Sequence, residues 1–119
     1  MINLVIAISE RAKNLSPDFL IIPQNALKLV EDPYYLNAID GVGKEDTWYL
    51  LNNPRPRNLI QEDLRYLEKV FSDNKIVLLI DYPTDLDKIR RFFQEAGKYG
   101  YVAYVGPLEL DKVGFYQPP

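Results

Sequence analysis

The sequence predicts an α/β fold in which four parallel strands alternate with helices, and three observations lead there. Four short apolar runs each break off at polar residues: Phe19 to Asn25 (FLIIPQN), Ala38 to Asp46 (AIDGVGKED), Ile76 to Pro83 (IVLLIDYP) and Tyr101 to Pro107 (YVAYVGP). Continuous apolar runs of this length suit strands buried on both faces of a parallel sheet. The segments between them carry helical periodicity or helix-start signals. Finally, Gln24, Asn25, Glu45, Asp46, Asp81 and Tyr82 fall at the carboxyl ends of the runs, where α/β folds build their sites.

The elements follow in order. Ile2, Val5, Ile8, Ala12 and Leu15 approximate a helical stripe, although the β-branched residues among them also suit a strand. Ser16-Pro17-Asp18 breaks this segment before the first run. Ala26 to Val30 makes a short helical turn, and Asp32-Pro33 reads as an N-cap with proline at the first helical position. After the second run, residues 52–58 (NNPRPRN) are expected to be irregular because of their prolines and asparagines. Asn58 and Gln61 resemble a capping box, with Ile60, Leu64, Leu67 and Phe71 on one face of the helix that follows. Thr84 is expected to cap the last helix, Leu86, Ile89, Phe93 and Ala96 form its buried stripe, and Gly97 is placed at its end.

Composition sets limits on function. At 119 residues and 13.8 kDa the chain is one domain (1–119), large enough for a core. Hydrophobic residues at 47% against 26% charged exclude a disordered protein. A formal charge of −3 gives no electrostatic support for a nucleic-acid partner. No apolar run reaches the ~18 residues of a membrane span. MINLVIAI lacks the basic start and small-residue cleavage site of a signal peptide, so a cytoplasmic location is expected for the chain as it stands. With no Cys and no His there is no thiolate nucleophile, Ser-His-Asp triad or imidazole metal site. Catalysis would fall to carboxylates, Tyr, Lys or Arg, and no cofactor is implied.

Glu45 and Asp46 follow a run containing Gly41 and Gly43, which permit close approach of backbone or ligand. Trp48 and Tyr49 beside them would desolvate Glu45 and raise its pKa, as an acid catalyst requires; a solvated acidic turn is the plainer alternative. Asp81 ends its run either as an acceptor for a sugar hydroxyl or as a cap for the following loop, since an unpaired buried carboxylate is costly. Gln24 and Asn25 supply amides suited either to hydroxyl recognition or to loop backbone. Trp48, Tyr49, Tyr82 and Tyr104 are residues that stack on sugar faces or pack the core, and Arg55 and Arg57 read as solvated loop residues.

The segments Pro17 to Asn25, Asp32 to Tyr49, Leu79 to Pro83 and Gly100 to Leu110 together resemble a family of (β/α)8-barrel glycoside hydrolases. This is the polygalactosaminidase-like family, whose members are also labelled as extracellular cysteinyl-tRNA-synthetase-like proteins. The resemblance rests on PQN, GVGKEDTWY and DY at these spacings and covers most of the chain. It implies that the four runs are the fifth to eighth strands of a TIM barrel, a fold of about 250 residues. It also implies that Glu45 is a catalytic carboxyl group, with Gln24, Asn25, Asp46, Trp48, Tyr49, Asp81, Tyr82 and Tyr104 around the substrate. The family's second carboxylate, an Asp at the end of the fourth strand, would lie upstream of Met1. The substrate implied is an α-linked amino-sugar polymer, and intact relatives would be secreted.

A half barrel leaves two open sheet edges and an uncovered apolar wall, so it is expected to associate with itself or with a separate first half. Alone it would be inactive. The alternative function is a non-catalytic carbohydrate-binding or structural half-barrel that self-associates. A flavodoxin-like sheet is the alternative fold, although it lacks a glycine-rich phosphate loop after the first run.

Overall fold

The computed structural model describes residues 1–114. The elements are α1 (Ile2–Leu15), a 3-10 turn (Leu27–Glu31), α2 (Pro33–Ala38), β1 (Gly41–Glu45), β2 (Tyr49–Leu50), β3 (Asn53–Pro54), α3 (Arg57–Ser72), β4 (Ile76–Asp81), α4 (Leu86–Tyr99) and β5 (Val102–Val105). The fold is α/β, with a three-stranded parallel sheet in the order β1-β4-β5. Among the described residues, no helix is long and apolar enough to cross a membrane.

The first apolar run is not a regular strand. It nevertheless runs parallel to β1: Asp40 N–H donates to the Ile21 carbonyl (2.8 Å), Gly43 N–H to Pro23 (2.9 Å) and Asn25 N–H to the Gly43 carbonyl (2.7 Å). Pro23 has no N–H to give, which interrupts the ladder. Strand-like segments therefore lie side by side in chain order, and the reversal of order that a flavodoxin-like sheet requires is absent from the described sheet.

Alternate residues separate the two faces of this sheet. Val42, Val77, Leu79 and Val105 point into the core, against Leu64, Leu67 and Val70 of α3 and Ile89, Phe92, Phe93 and Ala96 of α4. On the other face Ile76, Leu78, Val102 and Tyr104 remain exposed. Ile22, Gln24, Gly43, Leu78, Ile80, Val102 and Tyr104 line an open cleft of about 380 Å³ there.

Several helix ends differ from expectation. Asp32 does cap α2, accepting from Tyr34 N–H (2.8 Å) and Tyr35 N–H (3.1 Å). The Asn58–Gln61 capping box does not form: α3 begins two residues earlier, behind Pro56, with no side-chain cap. Asp85 rather than Thr84 caps α4, accepting from Asp87 N–H. The helix also runs past Gly97 to stop at Gly100, whose φ of +76° is the left-handed conformation glycine tolerates. Phe71 and Leu86 lie exposed at the margins of the predicted stripes, while Phe92 supplies the buried contact. Residues 52–58 are not wholly irregular, since Tyr49–Leu50 and Asn53–Pro54 pair as a minimal antiparallel hairpin.

At the amino end of the sheet α1 is pinned by polar contacts. Ser9 Oγ donates to the Ala38 carbonyl (2.6 Å), and Lys13 Nζ donates to Asp40 Oδ2 (2.7 Å), which also accepts Ile21 N–H (2.8 Å). The carboxyl end of the sheet carries different chemistry.

Candidate functional site

Glu45 ends β1, and the ends of the two neighbouring segments, the first apolar run and β4, converge on it. The Tyr82 hydroxyl, one residue beyond β4, donates to Glu45 Oε1 at 2.6 Å. Asn25 grips the same residue twice: its Nδ2 donates to Oε2 (3.2 Å), and its Oδ1 accepts the Glu45 backbone N–H (3.1 Å). Asn25 and Ala26 both hold positive φ, 59° and 49°. Two successive non-glycine residues in that region store strain of the kind that collects at functional sites.

These donors favour the carboxylate form, so the Glu45 pKa is lowered, chiefly by the Tyr82 hydroxyl and then by Asn25. Gln24 adds to the effect from an exposed position without a hydrogen bond of ordinary geometry. The expected rise through Trp48 and Tyr49 is therefore corrected. Both aromatic residues are buried in the core, where Trp48 meets Phe92 edge-on at 5.9 Å, and neither is placed to stack on a sugar. The chain turns away from the site at Asp46, whose φ is 53°.

Asp46 shows the opposite tendency. Burial and the neighbouring Glu45 charge raise its pKa, against the pull of Lys44 and Arg55. Adjacent carboxyl groups are thus pushed apart in proton affinity, the pattern that separates acid from base roles. Behind them, Asp63 of α3 pairs with Arg55 (2.6 Å) and Lys44 (3.7 Å), and Arg55 also donates to the Thr47 carbonyl (2.8 Å). Arg55 is thus a structural bridge rather than a solvated loop residue, whereas Arg57 is exposed.

Asp81 is wholly buried. Its carboxylate accepts three successive backbone N–H groups, from Thr47 (2.8 Å), Trp48 (3.0 Å) and Tyr49 (3.0 Å). Burial raises its pKa and the three amides oppose that rise. Asp81 thus holds the loop after β1 and not the loop that follows its own strand, and its sealed carboxylate has no open route to a sugar hydroxyl. The neighbouring Thr47 hydroxyl is buried without a hydrogen-bond partner. Tyr104 lines the open cleft, but its hydroxyl is already engaged by Gly114 N–H at 2.5 Å. Among the described residues no group of three acidic side chains could hold a metal ion.

No family model matches the chain. It is 33% identical over 119 residues to an uncharacterised protein of Deinococcus radiodurans and 30% identical over 133 residues to one of Thermotoga maritima. A third uncharacterised protein, from Methanocaldococcus jannaschii, is 32% identical over 126 residues. The alignments cover 99%, 100% and 95% of this chain but 39%, 41% and 36% of the relatives. The chain thus spans about two fifths of the length of the curated relatives it matches.

The site therefore combines Glu45, Tyr82 and Asn25 in direct contact, with Asp46 and Gln24 beside them. Asp81, Trp48 and Tyr49 lie behind it as support. Sequence reasoning missed Asn52, which bridges two of the site's loops. It sat in a segment dismissed for its prolines, and only its place in a turn between two aligned residue pairs could have flagged it.

Proposed function

We propose that these residues supply the fifth to eighth strand positions of a (β/α)8 barrel of the polygalactosaminidase type, with Glu45 on its catalytic rim. The barrel is closed by four further strands. The sequential parallel sheet with one apolar face bare supports this architecture. The matched relatives, about two and a half times as long as this chain, have room for a complete barrel of about 250 residues.

The observation that carries the functional reading is the triple grip on Glu45 by Tyr82 and Asn25 at a strand's carboxyl end. Glycoside hydrolysis needs two carboxyl groups flanking the bond, one giving a proton and one ionised. Glu45 as held here is the ionised member, and the partner group comes from the strands that complete the barrel. Ionised Glu45 beside Asp46 also complements the protonated amines of an amino-sugar polymer. Calorimetry with α-1,4-linked galactosamine oligomers tests this: saturable binding is expected, lost in Glu45→Gln, with no reducing ends released by the 119-residue chain. Absence of binding would overturn the assignment of substrate. Hydrolysis that Glu45→Gln abolishes would mean that this polypeptide is already a complete enzyme.

A second reading, a carbohydrate-binding half-barrel without catalysis, is favoured by one observation. The contacts around Glu45 keep it ionised, which suits a fixed anion that binds amino groups and leaves unsupplied the proton-giving carboxyl group a glycosidase also needs. Addition of the missing strands separates the two readings, because only the enzyme reading then yields hydrolysis.

A further inference from the structure

Two polar residues outside the immediate site, Asp81 and Asn52, tie its loops to each other in both directions. Asp81 ends β4 and holds the loop after β1 through the backbone of Thr47, Trp48 and Tyr49. That loop continues into the β2–β3 hairpin, whose turn carries Leu51 at φ 56° and Asn52. Asn52 reaches back to the loop after β4. Its Oδ1 accepts Thr84 N–H (2.9 Å) and Asp85 N–H (3.0 Å), and its Nδ2 donates to Thr84 Oγ1 (2.8 Å).

The constraints close on themselves. From Asp81 the path runs through three amides to the hairpin, through Asn52 to Thr84, and through Pro83, which is fully buried, and then Tyr82 back to Asp81. Tyr82 lies within this ring, and its hydroxyl is the group that leaves the ring to meet Glu45. The residue before Pro83 is restricted by the proline ring as well, so few backbone torsions between Asp81 and Thr84 are free to relax.

We propose that Asn52 and Asp81 are positioning residues, which fix the Tyr82 hydroxyl against Glu45 by locking the loops after β1 and β4 into one closed ring. The inference rests on Glu45 being the functional carboxylate, but its geometry stands without any sugar. Asp81 is sealed from any ligand, and the Asn52 amide commits its oxygen and one of its two N–H donors to the loop after β4. Together they set how firmly Glu45 is kept ionised and aimed, which a binding or catalytic role requires to within fractions of an ångström.

The test is site-resolved carbon-13 NMR titration of the Glu45 carboxyl and the Tyr82 phenol in the 119-residue chain, assigned with Glu45→Gln and Tyr82→Phe. In Asn52→Ala, the Glu45 midpoint is expected to move up toward an ordinary glutamate and the Tyr82 midpoint down toward an ordinary tyrosine, while circular dichroism shows the chain still folded. Thr84→Ala, which removes one of the three contacts, is expected to give smaller shifts of the same sign and carries the test if Asn52→Ala does not fold. Unchanged midpoints in a folded variant would overturn the proposal, leaving Asn52 as a cap for α4 and no more. Because no sugar is present, failure here is distinct from failure of the glycosidase reading, which oligosaccharide binding decides.

Discussion

The Tyr82 hydroxyl donates to the Glu45 carboxylate at 2.6 Å, and each shifts the other's titration. Glu45 is held below the usual glutamate range, mainly by this hydrogen bond. The Tyr82 phenol is raised well above an ordinary tyrosine by burial and by Glu45. A carboxyl group whose folded pKa is depressed adds stability above its unfolded value, about 4.3, and loses it as pH falls through the folded value. Tyr82→Phe is therefore expected to cost about 1 kcal/mol at pH 7 and to approach no cost once pH falls below the folded Glu45 value. Urea denaturation of both proteins across that range checks this, and a pH-independent difference would count against it.

Asp81 satisfies three buried amides with one carboxylate, so its removal strands all three. Asp81→Ala is expected to destabilise the fold by about 3–5 kcal/mol, because unpaired buried donors bear their full desolvation cost. A shift of the urea midpoint within experimental error of the parent would refute this account of the loop.

The two glycines of β1 should behave differently. A Cβ on Gly41 would sit 2.5 Å from the Ile76 carbonyl oxygen, a backbone atom that can yield only if the strands separate. At Gly43 the nearest neighbours are 3.9 Å away, on Gln24. Gly41→Ala is expected to cost about 1–3 kcal/mol, and Gly43→Ala to be near neutral or mildly stabilising through the lower entropy of the unfolded chain. Thermal melts of the pair decide it, and equal effects would remove the proposed role of Gly41 in close strand approach.

The bare face of the sheet predicts association. Ile76, Leu78, Val102 and Tyr104 are 37–60% exposed on one surface, and such a surface beside open edges recruits a partner. Light scattering across micromolar concentrations is expected to show a dimer or larger species, dissociated by Leu78→Lys or Val102→Asp. A monomer at every concentration would set the closure model aside.

Much of this arrangement was legible in the residues. The apolar runs marked β1, β4, β5 and the segment beside β1, because continuous apolar runs with abrupt polar ends report strands and strand ends together, but the burial expected on both faces is realised on one only. Pro23 was visible too, but its effect on the ladder depended on which edge it faced. The positions of Glu45, Tyr82 and Asn25 were predictable as strand ends, yet their mutual contact was not, since it depends on the register between neighbouring strands. Trp48 and Tyr49 misled for a related reason. They follow Glu45 closely in sequence, but the left-handed turn at Asp46 sends them into the core. The Asp32 cap was legible, whereas the ends of α3 and α4 were missed by one to three residues; Asp85 is held by Asn52, a contact that local patterns do not contain.

The three amides of residues 47–49 form a cup of positive dipoles at the end of a strand, the kind of concavity that elsewhere cradles phosphate. Here the chain fills that cup with its own carboxylate from the next strand. The concavity is thus satisfied from within the fold, and these three amides present no open anion site.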